Sequence, residues 1–243
     1  MNLIIDVGNS FVKLAVFQEG LIIHKISVSI EDLIAELKAV KKVYHDIDKA
    51  IVSSVGRLST KDVDIMSDLL DIVVLDSNTV LPFENLYKTP KTLGVDRIAL
   101  VCASVSQFSE QHVLIIDAGT CITFDFVNAK NEYLGGAISP GIRVRYKALN
   151  DLTANLPLLD TAMPDDIIGN STNQSIHSGV IYGVLNEIDG VIESYKLKYS
   201  DLTVILTGGD TKFLAKQLKS SIFANSNFLL EGLDFILKFN SSE

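Results

Sequence analysis

A short apolar run that ends in aspartate occurs twice in the chain, and this repeat limits the possible folds more than any other feature. The copies are residues 3–10 (Leu-Ile-Ile-Asp-Val-Gly-Asn-Ser) and residues 114–121 (Leu-Ile-Ile-Asp-Ala-Gly-Thr-Cys). Each apolar run is long enough only for a buried strand, and the residues after it predict a tight turn. A second strand-like run follows in both places, at residues 11–17 and 122–127. The sequence therefore predicts two similar hairpins, one in each half of the chain.

Both predicted turns have the residue types that hold phosphate groups. A glycine lets the backbone come close to a ligand, and the N–H groups of a turn can point at phosphate oxygens together with side-chain donors. An aspartate just before such a turn suits a metal ion or its hydration shell. One copy alone favours an ordinary hairpin, whereas two such halves facing each other form a nucleotide clamp. The residues concerned are Asp6, Gly8, Asn9 and Ser10 in the first half and Asp117, Gly119 and Thr120 in the second.

Length and composition limit the class of protein. The 243 residues suffice for two domains of about 120 residues, which we place at 1–111 and 112–243. A hydrophobic fraction of 47% is globular, and no apolar run approaches the roughly 18 residues that cross a bilayer. The net charge of -9 without a basic run argues against nucleic acid as a partner. Two cysteines are too few for a disulfide framework, and the N-terminus lacks signal-peptide features, so we expect a cytoplasmic protein without a membrane partner.

Apolar periodicity predicts alternating strands and helices in each half. We expect strands at residues 21–28, 50–55, 72–75 and 133–138, a last strand-to-helix turn at residues 204–210, and helices after Ser29 and at residues 59–70, 94–108, 141–149 and 171–199. Residues 76–93 have two prolines and no sustained period, which predicts a long loop, and long loops in compact domains are often functional. Residues 153–170 are expected to be a second irregular segment.

The motif Gly94-Val95-Asp96-Arg97 opens one of the predicted helices. In the first turn Asp96 would complement the helix dipole, and Arg97 would be a surface arginine. Taken alone, these residues support that structural account at least as well as a catalytic one.

Ordered motifs along nearly the whole chain resemble the acetate and sugar kinase, chaperone and actin superfamily, and within it the type III pantothenate kinase family. The Gly94 to Arg97 motif separates this family from its superfamily relatives. The resemblance implies an α/β fold of two similar actin-like (ribonuclease H-like) domains, each a mixed sheet flanked by helices, with the nucleotide cleft between them. Besides Gly94 to Arg97, the motifs are Asp6 to Ser10 with Lys13, Ser53-Ser54-Val55, Tyr87 with Pro90, Asp117 to Thr120 with Thr123 and Asp125, Gly135-Gly136 with Pro140-Gly141, residues 172–183, Thr207 to Asp210 and Leu230 to Leu233.

The resemblance also implies an activity and a set of site residues. The activity is ATP-dependent phosphorylation of pantothenate on its primary hydroxyl, the first step of coenzyme A biosynthesis, with Asp96 as the catalytic base. Asp117 would bind a monovalent cation, K⁺ or NH₄⁺, and Asp6 would lie near Mg²⁺ in a homodimeric enzyme. The implied ATP site consists of Asp6, Val7, Gly8, Asn9, Ser10, Phe11, Val12, Lys13 and Thr120. The implied pantothenate site consists of Tyr87, Gly94, Val95, Asp96, Arg97 and Thr172.

Three other functions share parts of this pattern. Another small-molecule kinase of the superfamily would have the clamp but not Tyr87 and the Asp96 motif. An ATP-switched structural or chaperone module usually has large extra subdomains, for which 243 residues leave little room. An accessory regulatory relative would not need Asp6, Asp96 and Asp117. Two positions depart from the family pattern, Gly56 and Cys121, and neither is a proposed catalytic group.

Overall fold

The computed structural model describes residues 1–8, 11–54 and 58–241 and has an α/β fold with two mixed sheets flanked by helices. The strands are β1 (Asn2–Val7), β2 (Val12–Gln18), β3 (Leu21–Val28), β4 (Lys49–Ser54), β5 (Asp71–Val74), β6 (Glu84–Asn85), β7 (Val113–Ala118), β8 (Cys121–Val127), β9 (Glu132–Pro140), β10 (Thr203–Thr207) and β11 (Phe223–Ala224). The helices are α1 (Leu33–Val43), α2 (Thr60–Ser67), α3 (Val95–Gln107), α4 (Ile142–Asp151), α5 (Thr172–Lys198), α6 (Thr211–Leu214) and α7 (Phe228–Phe239).

Contacts along the chain define two compact units. Unit 1 contains Met1–Ser109, the short segment Asn131–Tyr133 and the C-terminal segment that starts at Asn227. Unit 2 contains Glu110–Lys130 and Leu134–Ser226. The expected division after residue 111 lies next to the passage into unit 2. The expected division did not include the return of the chain to unit 1 at Asn131–Tyr133 and from Asn227 onward.

The central strand of unit 1 is β1. It pairs antiparallel with β2 and parallel with β4, in the order β3-β2-β1-β4-β5. Alternate residues of β1 pack with α1 and α2 in one apolar core, which includes Leu3, Ile5 and Val7. Helices α3 and α7 lie against each other, and a Cβ at Gly232 would lie 1.9 Å from the Ala99 carbonyl oxygen, so only glycine permits this close approach.

Unit 2 has the same strand arrangement as unit 1. Strand β7 pairs antiparallel with β8 and parallel with β10 in a six-stranded sheet of order β6-β9-β8-β7-β10-β11, of which the five strands from β9 to β11 repeat the order of the first sheet. Its core combines alternate residues of β7, such as Leu114 and Ile116, with one side of the long helix α5. The prediction of two similar hairpins, each with Asp-x-Gly where its first strand meets the turn, is therefore confirmed.

The predicted elements agree with the structure except in three places, one of which is the unpredicted two-residue strand β11. Residues 76–93 contain the short strand β6 and a 3-10 turn at Pro90–Thr92, where only a loop is expected. Helix α7 is missing from the predicted elements, although its apolar residues Leu230, Leu233 and Leu237 recur at helical spacing and are buried. Among the described residues, no helix has both the length and the hydropathy needed to span a membrane.

Candidate active site

The first hairpin presents Asp6 at the end of a buried strand. The Gly8 N–H donates to the Phe11 carbonyl at 3.1 Å, and Asp6 lies opposite Lys13 in the ladder. The Lys13 Nζ atom is 3.2 Å from Asp6 Oδ2, while the Lys13 side chain keeps 43% of its surface exposed. The side chains of Val7 and Val12 are buried, so these residues can reach a ligand only through the backbone. The predicted ligands Asn9 and Ser10 lie outside the described residues.

The Asp6 carboxyl is buried, with 5% of the residue exposed. Burial raises its pKa above the ordinary value, and the nearby Lys13 offsets part of that rise. The Asp96 carboxylate raises the pKa of Asp6 further, so Asp6 and Asp96 interact electrostatically. The structure thus brings Asp6, Lys13 and Asp96 into one charged group.

The Gly94 to Arg97 motif forms the start of α3, with Gly94 as N-cap and Asp96 in the first turn. The Asp96 Oδ1 atom accepts a hydrogen bond from the Arg97 N–H at 2.8 Å. A Cβ at Gly94 would lie 2.3 Å from this oxygen, so a larger residue would displace the carboxylate. The positive end of the helix dipole lies at the same place and stabilises a negatively charged group there.

Arg97 is buried, with 5% of its surface exposed, and this corrects the expectation of a surface arginine. Its guanidinium carbon lies 5.7 Å from the ring centroid of Tyr87, within the range of a cation–π contact. Arg97 is buried because the ring of Tyr87, in the segment 76–93, packs over its guanidinium. Tyr87 in turn stacks on Tyr133, a fully buried residue that the sequence reasoning did not select.

The second hairpin resembles the first but has a shorter turn. The Gly119 N–H donates to the Cys121 carbonyl at 2.9 Å, which leaves the exposed Thr120 at the tip. The residue opposite Asp117 is Thr123, whose hydroxyl donates to the buried Asp125 carboxylate at 3.0 Å. The first hairpin therefore offers a lysine beside its aspartate, and the second offers a threonine.

Two further glycine turns approach the end of β7. Gly208 has a φ of 97°, and a Cβ there would lie 2.4 Å from Asp117 Oδ1 and 2.3 Å from the Ala118 carbonyl oxygen. The Gly141 N–H donates to the Thr120 carbonyl at 3.0 Å. Backbone from three loops thus surrounds Asp117 and Thr120, the arrangement expected of an anion or cation site built from the main chain.

Thr172 begins helix α5, which the hydroxyl of Ser171 caps by accepting the Gln174 N–H. Thr172 lines an open cavity of about 670 Å³ in unit 2. The cavity combines hydroxyl groups with an apolar floor. Its lining includes Ser171, Thr172, Ser175, Leu149 and Ile176.

No group of three or more His, Cys, Asp or Glu residues that could hold a metal ion occurs in the described part of the chain. A complete protein cage is not required for Mg²⁺, which usually binds through one or two carboxylates, substrate phosphates and water. The buried carboxylate of Asp6, beside a glycine turn, fits that requirement. Asp117, packed against the Gly208 turn, likewise fits a cation that takes its remaining oxygen ligands from elsewhere.

Comparisons with known proteins identify the family. The family model for type III pantothenate kinase matches residues 2–194. A type III pantothenate kinase from Christiangramia forsetii is 49% identical over all of both chains. A Baf family protein from Campylobacter jejuni has a TM-score of 0.67 and 22% identity, covering 99% of this chain and 100% of that one. A glucokinase from an Antarctic psychrotroph has a TM-score of 0.53 and 12% identity, covering 98% of each chain, and these two structures establish an actin-like fold. The chain therefore belongs to the type III pantothenate kinase family.

Proposed function

We propose that this protein transfers the terminal phosphoryl group of ATP to the primary hydroxyl of pantothenate, the first step of coenzyme A biosynthesis. The observation that carries the proposal is the group of Tyr87, Asp96 and Arg97 in unit 1. In it a carboxylate in the first turn of a helix adjoins a buried guanidinium that lies over an aromatic ring. Membership of the family supports the same reaction.

Asp96 is the general base in the proposed mechanism. It accepts the proton of the pantothenate hydroxyl as the oxygen attacks the terminal phosphorus, a role that contributes about 10²–10⁴-fold to turnover. The Arg97 N–H orients the carboxylate, and the Arg97 guanidinium neutralises a carboxylate or phosphate of the substrate. By similarity to the family, we also propose Tyr87, Gly94, Val95 and Thr172 as pantothenate-binding residues.

The proposed ATP-binding residues come from the two hairpin turns. They are residues 6–13 and Thr120, and the partly exposed Lys13 can exchange its contact with Asp6 for one with a phosphate oxygen. Phosphoryl transfer depends mostly on positioning and charge stabilisation, which turn N–H groups and a lysine can provide.

We propose Mg²⁺ as the ion beside Asp6 and K⁺ or NH₄⁺ as the ion beside Asp117. Bound there, the cations would offset the negative charge of the phosphates. By similarity to the family, we also propose that the protein is a cytoplasmic homodimer.

The test is ADP release by the purified protein with pantothenate, compared with glucose, glycerol and acetate as acceptors. We expect saturable turnover with pantothenate and background rates with the others. A rate with a sugar that equals or exceeds the rate with pantothenate would assign the protein to another small-molecule kinase.

A further inference from the structure

A buried tyrosine outside the proposed site lies directly behind one of its residues. Tyr133 has no exposed surface and stacks on Tyr87, with ring centroids 6.0 Å apart and an angle of 28° between the ring planes. The Arg97 guanidinium lies over the Tyr87 ring at 5.7 Å. Tyr133, Tyr87 and Arg97 thus form a chain of contacts within unit 1.

The backbone fixes the position of Tyr87 relative to Tyr133. Strand β6 pairs in parallel with Glu132 and Tyr133, and the Leu86 N–H donates to the Tyr133 carbonyl at 3.0 Å. Next along the chain, the Asn85 side chain accepts the Tyr87 N–H at 3.0 Å and forms a local turn. Strand β6, which immediately precedes Tyr87, is therefore held in a fixed register against Tyr133.

We propose that Tyr133 is a positioning residue for pantothenate binding. Its ring limits the orientations of the Tyr87 ring, and the Tyr87 face in turn holds the Arg97 guanidinium in the direction needed by a substrate anion. Offset stacking and cation–π contacts both depend on ring orientation, so an aliphatic side chain of similar volume cannot replace the first ring. The inference rests on the proposed function, in which Tyr87 and Arg97 bind pantothenate.

A second aromatic neighbour of Tyr133 provides a matched control. Phe83 meets the Tyr133 ring edge to face, with centroids 6.2 Å apart and an interplanar angle of 76°. Phe83→Leu removes a ring from the same aromatic cluster but leaves the stacked pair of Tyr87 and Tyr133. The comparison of Phe83→Leu with Tyr133→Leu therefore separates a general loss of packing in the cluster from a loss of the Tyr87 ring orientation.

The experiment measures kcat and the KM values for pantothenate and ATP in the parent protein and in Tyr133→Leu, Tyr133→Phe and Phe83→Leu. We expect Tyr133→Leu to raise the KM for pantothenate about tenfold, with the KM for ATP within about twofold of the parent value. Tyr133→Phe keeps the stacked ring and should restore the parent KM to within about twofold. Phe83→Leu should lower the melting temperature without changing the KM for pantothenate.

Three results would overturn the inference. One is an unchanged KM for pantothenate in folded Tyr133→Leu, and another is an equal rise in Phe83→Leu. If Tyr133→Leu does not fold, Asn85→Ala replaces it, because this substitution removes only the hydrogen bond that the Tyr87 N–H donates in the turn. An unchanged KM for pantothenate in Asn85→Ala is the third result. If the parent protein releases no ADP with pantothenate, the proposed function itself is wrong and this inference falls with it.

Discussion

Asp96 occupies the first turn of α3, where two possible roles of a carboxylate have very different consequences. As a partner of the helix dipole it would contribute about 0.3–1 kcal/mol to stability and nothing to rate. As the general base it would contribute about 10²–10⁴-fold to turnover, or roughly 3–5 kcal/mol of the barrier. We predict that Asp96→Asn gives a folded protein that binds ATP and has lost nearly all pantothenate phosphorylation.

Steady-state turnover and ATP calorimetry on Asp96→Asn distinguish the two roles. Asparagine keeps the shape of the side chain and an oxygen that can accept the Arg97 N–H, but it cannot accept a proton. Turnover within a few-fold of the parent rate would remove Asp96 from the mechanism. It would also remove the main reason to prefer pantothenate over another acceptor.

Asp6 is the residue at which stability and function are expected to conflict. Because burial raises its pKa, the folded protein holds this proton more tightly than the unfolded chain does. Its contribution to stability is therefore fully present below the ordinary aspartate pKa and is lost as the pH rises through the raised value. We predict that Asp6→Asn has a higher melting temperature than the parent near neutral pH and weaker use of ATP.

Thermal denaturation between about pH 4 and pH 8 checks the sign of this effect. The difference in melting temperature should shrink as the pH falls towards the ordinary pKa of aspartate. Asp48→Asn, at an exposed position, is the control and should show no comparable trend. A lower melting temperature for Asp6→Asn at neutral pH would mean that the ion pair with Lys13 outweighs the cost of burial.

Among the structural elements, the hairpins were predictable from sequence and the aromatic cluster was not. A strand followed by Asp-x-Gly is a local pattern, so its two copies predict β1–β2 and β7–β8 directly. Arg97 lies under Tyr87 of the preceding loop, Tyr87 stacks on Tyr133, which is distant in sequence, and the pairing of β6 involves only two residues. A strand of two residues is too short to show a period in the sequence. Its position is set by tertiary contacts.

In the second hairpin, formed by β7 and β8, the residue to test is Thr120. Its exposed tip, Thr120, is proposed to hold ATP phosphates through its hydroxyl and the N–H groups of the turn. Thr120→Val keeps the branched shape but removes the hydroxyl, so we predict weaker ATP binding and an unchanged melting temperature. Cys121→Ser, at the adjacent exposed position, is the control. Identical calorimetric ATP affinities in Thr120→Val and the parent would exclude a role for this hydroxyl.

At the scale of the whole molecule, the two units repeat one strand order but differ in the charge beside their aspartates. The ladder neighbour of Asp6 is a lysine, and that of Asp117 is a threonine. The chain as a whole carries a net charge of -9, so binding of an anionic nucleotide depends on local cations. We predict that activity requires Mg²⁺ and rises markedly when K⁺ or NH₄⁺ replaces Na⁺ at equal ionic strength.

The variant Asp117→Asn connects this ion dependence with the second unit. If Asp117 binds the monovalent cation, the substitution should lower activity in K⁺ towards the Na⁺ rate and abolish the difference between the salts. If Asp117 serves only the turn, the substitution should reduce stability and leave the ratio of the two rates unchanged. Equal parent rates in all three monovalent salts would count against the cation site altogether. Because Gly208 packs against Asp117 at a φ that disfavours other residues, Gly208→Ala should impair the same ion response.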